Sequence, residues 1–221
     1  MVKTMARLFL IFLVVLCSVA TGCAKPMTFS ARMAELSGLV PDPKPTAKPV
    51  VELHGDTDFG QRERELIELA MKEWRLQTGN LAVASVVWDL DFQSAAGLQE
   101  HVDRQHHLLF RSMSWMKDVQ EQDGPRAMVL AFVYPSGGIH NPWGDPVRMK
   151  LVVDRLDDES RFFQVTVHEL GHVFGVPHVN SVQSVMYPSY FVGKTSCLKR
   201  GDLAAFCDVN DCGSVTMYPC E

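Results

Sequence analysis

Three histidines and a glutamate within eleven residues constrain this chain more than anything else in it. The stretch HELGHVFGVPH runs from His168 to His178. On an α-helix, residues four apart stand one turn above the other on a single face. His168 and His172 therefore point the same way, and two imidazoles can reach one ion. Gly175 follows three residues later, and glycine tolerates the left-handed conformation that ends a helix and turns the chain back. His178 then arrives from outside the helix as a third ligand. Glu169 is rotated by about 100° from His168, which sets it beside the ion rather than on it. Three neutral imidazoles leave a tetrahedral zinc with one open position, as in a catalytic site; a structural zinc is closed by a fourth protein ligand. Water at an open position becomes a nucleophile near neutral pH, and Glu169 is the candidate general base.

Chance explains the stretch poorly. Five fixed positions, each filled at a frequency of about 5%, coincide in fewer than about one chain in a thousand of this length. The plainer readings are a surface helix that happens to carry histidines, and a zinc held without catalysis.

The amino terminus predicts export. Lys3 and Arg7 precede the apolar run LFLIFLVVL, and ATGC follows from Ala20 to Cys23. A basic segment, a short apolar segment and small residues at a cleavage point make a signal sequence. The run is short for a spanning helix, which needs about 20 apolar residues. A cysteine directly after small residues resembles the lipobox of bacterial lipoproteins, in which the chain is cut before the cysteine and the new terminus is acylated. That resemblance implies a signal peptide over 1–22, lipidation at Cys23 and a membrane-anchored exported protein, periplasmic or at the cell surface, with the outer membrane favoured because Ala24 and not Asp follows. Plain secretion, with Cys23 an ordinary thiol, is the other reading. Loss of two cations with the leader moves the net charge from −5 to −7. Such a surface offers no attraction to anionic lipid, so acyl chains must do the anchoring. With no basic block, nucleic acid is excluded as a partner.

Cysteine placement agrees with export. Cys197, Cys207, Cys212 and Cys220 all fall in the last 25 residues. In an oxidising compartment they read as two disulfides, with three possible pairings. The alternative, a second zinc site, lacks any Cys-x2-Cys knuckle.

Between leader and domain, residues 23–49 read as a tether, since VPDPKPTAKPV holds four prolines in eleven residues and favours extended chain. An irregular arm packed on the domain is the other reading. The domain itself spans 50–221. QRERELIELAMKEWRLQTGN (61–80) is an amphipathic helix in which Leu66, Ala70 and Trp74 make a core stripe, with charges filling the other face. LAVASVVWDLDF (81–92), HHLLFRSM (106–113), RAMVLAFVYP (126–135) and VRMKLVVDRL (147–156) are rich in β-branched and aromatic residues and predict strands. A turn-rich loop, SGGIHNPWGD, separates the last two, and helical periodicity returns at 160–175. An α+β domain with a mixed twisted sheet follows from this order, expected as a monomer of one unit by size. His54, His101, His106 and His107 show no ligand-like spacing and read as surface or strand residues.

The extended motif resembles the metzincin clan of zinc endopeptidases. Downstream, SVMYPSY (184–190) resembles the clan's Met-turn, with Met186 in the place beneath the metal. Within the clan MYPxY looks most like the matrixins, and this resemblance implies that Pro188 and Tyr190 wall the main specificity pocket. The position two after Met186, a tyrosine in other relatives, is Pro188, so no tyrosine ligand is expected. Leu130 to Val133 is similar to the matrixin edge strand that pairs with an extended substrate. A final helix within KRGDLAAFCDVNDCG (199–213) is expected, with Asp202 as cap and Leu203 and Phe206 facing inward. There are departures: Val179 stands where matrixins carry a small polar residue, and no cysteine-switch propeptide is legible. Calcium is possible but unsupported; His140, Asp145, Asp154, Asp157 and Asp158 lie in the relevant region and read as solvated loops. The resulting expectation is an anchored zinc endopeptidase acting on protein or peptide. The rivals are a zinc hydrolase of peptidoglycan cross-bridges and a non-catalytic, zinc-holding surface protein.

Overall fold

A computed structural model describes Met33, Leu36 and residues 50–124, 128–134, 146–190 and 197–213. The expected leader, Cys23, the loop at 136–145 with His140 and Asp145, and Cys220 lie outside the described residues. Met33 and Leu36, from the stretch expected to be a tether, are buried in the core. No described helix is long and apolar enough to cross a membrane.

Among the described residues five strands form one mixed sheet: β1 (Val51–Asp56), β2 (Ala84–Leu90), β3 (His107–Ser112), β4 (Ala131–Tyr134) and β5 (Arg148–Val152). Their spatial order is β2-β1-β3-β5-β4. The first four in that order run parallel, and β4 pairs antiparallel with β5 at the edge. Among the described residues the α-helices with defined bounds are α1 (Gln61–Gln77), α2 (Ala95–Asp103), the short α3 (Lys117–Gln120), α4 (Glu159–Val173) and α5 (Arg200–Asn210). Strand β1 and helix α2 had no counterpart among the expected elements.

Alternation along β3 sends Leu109 to one face of the sheet and Leu108 and Phe110 to the other. Leu109 joins Leu53, Met149 and Leu151 in the main core beneath α1 and α4. Leu108 and Phe110 join Leu90 in a small cluster, against which Leu98 and Val102 of α2 are only partly buried. The expected stripe of α1 is buried, and Trp74 is wholly enclosed. Its indole Nε1 donates to the Val167 carbonyl at 2.8 Å, tying α1 to α4. Phe174 and Phe206 lie 5.7 and 5.8 Å from the Trp74 ring, so α5 is drawn onto the same centre. Each such side chain contributes about 1.5–3 kcal/mol by leaving water. One charge departs from the expected outer face of α1: Glu73 is fully buried and accepts from the Leu198 amide at 3.3 Å.

Candidate metal centre and active site

Helix α4 starts at Asp158, whose side chain accepts from the Arg161 amide, and ends in a double closure. The Gly175 amide donates to the His172 carbonyl and the Val176 amide to the Gly171 carbonyl, each at 2.9 Å. This is the paired bonding of a helix stop whose first outside residue is left-handed, and Gly175 has φ +79°. The closure delivers the Val176 carbonyl to His172, whose Nδ1 lies 2.8 Å away. It also brings His178 back, as the spacing predicts.

The three imidazoles converge. His172 Nε2 lies 3.1 Å from His168 Nε2 and 3.1 Å from His178 Nε2. A tetrahedral ion bound at 2.0–2.1 Å would space its nitrogens by about 3.3–3.4 Å, so the ligand set fits zinc. The tautomers fit as well. His168 Nδ1 sits 2.7 Å from the Val185 carbonyl, and a carbonyl only accepts. Nδ1 of both helix histidines must therefore donate, which leaves each neutral ring with its lone pair on Nε2, aimed at the centre.

Glu169 shares the helix but not the nitrogen cluster. It is nearly buried, and Oε2 has no hydrogen-bond partner among the described residues. Loss of solvation pushes its carboxyl up to about 8. A carboxyl without a partner in a dry wall is costly for folding alone, and a cation nearby favours its ionised form.

Met186 is fully buried beneath the helix. The reason for this close approach is Gly171, a position the motif leaves free. A Cβ there would fall 2.3 Å from Met186 Sδ and 2.9 Å from Trp74 Cζ2. The only legible signal was its placement inside a helix, where glycine is unfavourable by about 1 kcal/mol relative to alanine. The turn around Met186 touches the site through its backbone too, since Val185 supplies the carbonyl that orients His168.

Asp202 holds that turn. It is wholly buried and accepts from the Met186 amide at 3.0 Å, from the Val185 amide at 3.3 Å and from the Ser184 hydroxyl. It also accepts from the Lys199 amide at 2.7 Å. The expected cap residue thus sits one turn inside α5, at its third position, with Lys199 flanking the helix. Its reach to the Met186 turn was not legible. Leu203 and Phe206 face inward. Val179 is tied to the turn by its amide, which donates to the Met186 carbonyl at 2.9 Å.

A cavity of about 510 Å³ opens beside the cluster. His168, Glu169, Val165 and Val185 form one wall, Pro188 and Tyr190 another, and Leu130 and Ala131 bring the edge strand to its rim. Arg161 lies over the Tyr190 ring at 5.4 Å. Of the acids in the region first considered for calcium, Asp154 accepts from the Ser114 amide at 2.9 Å, Asp157 pairs with Arg161 at 3.0 Å and Asp158 caps α4.

Cys207 and Cys212 form a disulfide, and Cys197 is disulfide-bonded as well. The remaining histidines do not stay apart as their spacing suggested. His54, His101 and His106 come together in space, and burial holds His106 below the usual imidazole range. His107 instead accepts from the Val147 amide at 3.1 Å.

The sequence matches the matrixin family model over residues 52–208, and the chain belongs to that family of metallopeptidases. Among solved structures it is similar to metalloproteinase-II from Bacteroides fragilis, at 15% identity and a TM-score of 0.46. That likeness covers 80% of this chain and about 60% of the length of that one. The search of curated proteins returned no match.

Proposed function

We propose that the protein is a zinc endopeptidase in which His168, His172 and His178 hold the metal and Glu169 is the general base. The observation that carries this reading is the convergence of three Nε2 atoms beside a buried carboxyl oxygen that has no hydrogen-bond partner among the described residues. Bound zinc supplies an electrophilic centre that makes water nucleophilic near neutral pH and polarises the carbonyl to be attacked. Glu169 accepts the proton of the attacking water and returns it to the departing amine. Met186 and the Val185 carbonyl keep the cluster's floor and the His168 ring in place. The outer edge of β4 pairs with an extended peptide by strand addition, and the side chain past the cut bond enters the cavity between Val165, Pro188 and Tyr190. Residues 1–22 direct export, and acylation at Cys23 anchors the mature chain to a membrane.

Incubation with casein, before and after chelation and zinc restoration, tests the reading. Fragments that vanish with the chelator and return with zinc are expected. Intact casein alongside cleavage of purified cell-wall peptide would overturn the protein substrate, and no turnover of either would overturn the catalytic role.

A further inference from the structure

Apart from the cluster on α4, one other set of imidazoles among the described residues lies close enough to share an ion. His54 belongs to β1, His101 to the last turn of α2, and His106 immediately precedes β3. One ring nitrogen from each lies within 4.8 Å of the other two. His101 Nδ1 and His106 Nδ1 are 3.0 Å apart, with ring planes inclined at 59°. This is close to the spacing within the first cluster. His54 Nδ1 lies 2.9 and 3.0 Å from the two oxygens of Asp89 on β2. A carboxylate only accepts, so a neutral His54 keeps its lone pair on Nε2. A carboxylate behind an imidazole is the outer arrangement that orients metal-ligating histidines and raises their basicity.

We propose that His54, His101 and His106, backed by Asp89, form a second metal site that takes zinc and clips α2 to the sheet. Three imidazoles without a thiolate favour late first-row divalent ions and disfavour calcium and magnesium. The site lies on the β2-β1 side of the sheet, whereas the cavity borders β4 at the opposite edge. Its work is therefore structural. Helix α2 contains no fully buried residue, and its apolar contacts go to a cluster of three buried side chains. Bonds from one ion to β1, α2 and the start of β3 supply the hold that this thin packing lacks. The His54 and His106 rings are stacked at 3.9 Å with 7° between their planes. Parallel rings cannot aim in-plane lone pairs at one point, so loading turns one of them out of the stack.

The purified full chain, stripped of metal and titrated with zinc alone, provides the test by native mass spectrometry and by hydrogen exchange of residues 95–106. Two ions per chain are expected for the parent, and one each for the His101→Ala/His106→Ala and His168→Ala/His178→Ala variants. Zinc should slow exchange of 95–106 in the parent and in the second variant, and leave it unchanged in the first. His101→Gln/His106→Gln, which keeps polar side chains of similar reach, replaces the alanine pair if that pair fails to fold. One ion in the parent, two retained without His101 and His106, or exchange of 95–106 indifferent to zinc would each overturn the site and leave a hydrogen-bonded histidine network. Casein cleavage does not depend on the outcome.

Discussion

Replacement of Gly171 by alanine sets two effects against each other within one residue. Helix propensity alone favours the change by about 1 kcal/mol. Against it, the new methyl would stand 2.3 Å from Met186 Sδ, 2.7 Å from Met186 Cε and 2.9 Å from Trp74 Cζ2. Both neighbours are fully buried, so neither can swing into solvent. Overpacking costs about 1–3 kcal/mol, and two blocked neighbours place this case near the upper end. The net expectation is destabilisation by about 1–2 kcal/mol. For a domain of this size that lowers Tm by about 2–8 °C. Displacing Met186 also displaces Val185, whose carbonyl orients His168; loss of such an outer partner weakens metal affinity by about 10–100-fold. Thermal unfolding with and without zinc, together with a competitive chelator titration, measures both. A Tm at or above the parent's, with unchanged zinc affinity, would mean that propensity wins and that the close approach beneath the helix does not matter.

Asp202→Ala removes the acceptor for Val185, Met186 and Lys199 amides and the Ser184 hydroxyl; stability should fall by about 3–5 kcal/mol, since each stranded buried donor costs about 1–3. Denaturant unfolding checks it, and a loss below about 1 kcal/mol would contradict the role of Asp202 as anchor. The Arg155 guanidinium, with the Val129 amide, holds the Asp123 carboxyl at about 2, below its usual 3.8. An acid depressed in this way contributes stability that is complete above its unfolded value and is lost as pH falls through the folded one. Asp123→Asn should therefore be less stable than the parent above about pH 4, with the difference closing towards pH 2; an equal difference at pH 2 and pH 7 would contradict the ionic origin. Arg62 pairs with Glu159 at 2.7 Å, but both side chains are half exposed, so Arg62→Ala should cost under about 1 kcal/mol by the same unfolding measurement.

What could be read from the residues alone follows from how local the determining contacts are. The cluster at His168, His172 and His178 is legible because helix periodicity and one glycine place all three nitrogens. Helix α1 is legible from its stripe, but the burial of Glu73 is not, because its partner amide at Leu198 lies far along the chain. Strand β1 is not legible because five of its six residues are buried, Gly55 and two polar side chains among them, which leaves no alternation along the strand. Helix α2 is not legible because it contains no fully buried residue and hence no strong stripe. The gathering of His54, His101 and His106 depends on the parallel pairing of β1 with β3, which no spacing rule within one element can express. Asp202 was legible as a helix-start residue, whereas its grip on the Met186 turn needed the tertiary fold.

Glu169→Ala tests the central claim most directly, measured as zinc content by elemental analysis and as peptide-bond cleavage on the same preparation. The account predicts that the variant holds as much zinc as the parent while cleavage falls by a factor of at least about a hundred, the scale of general acid–base assistance. Parental cleavage in the variant would contradict the role given to this carboxylate.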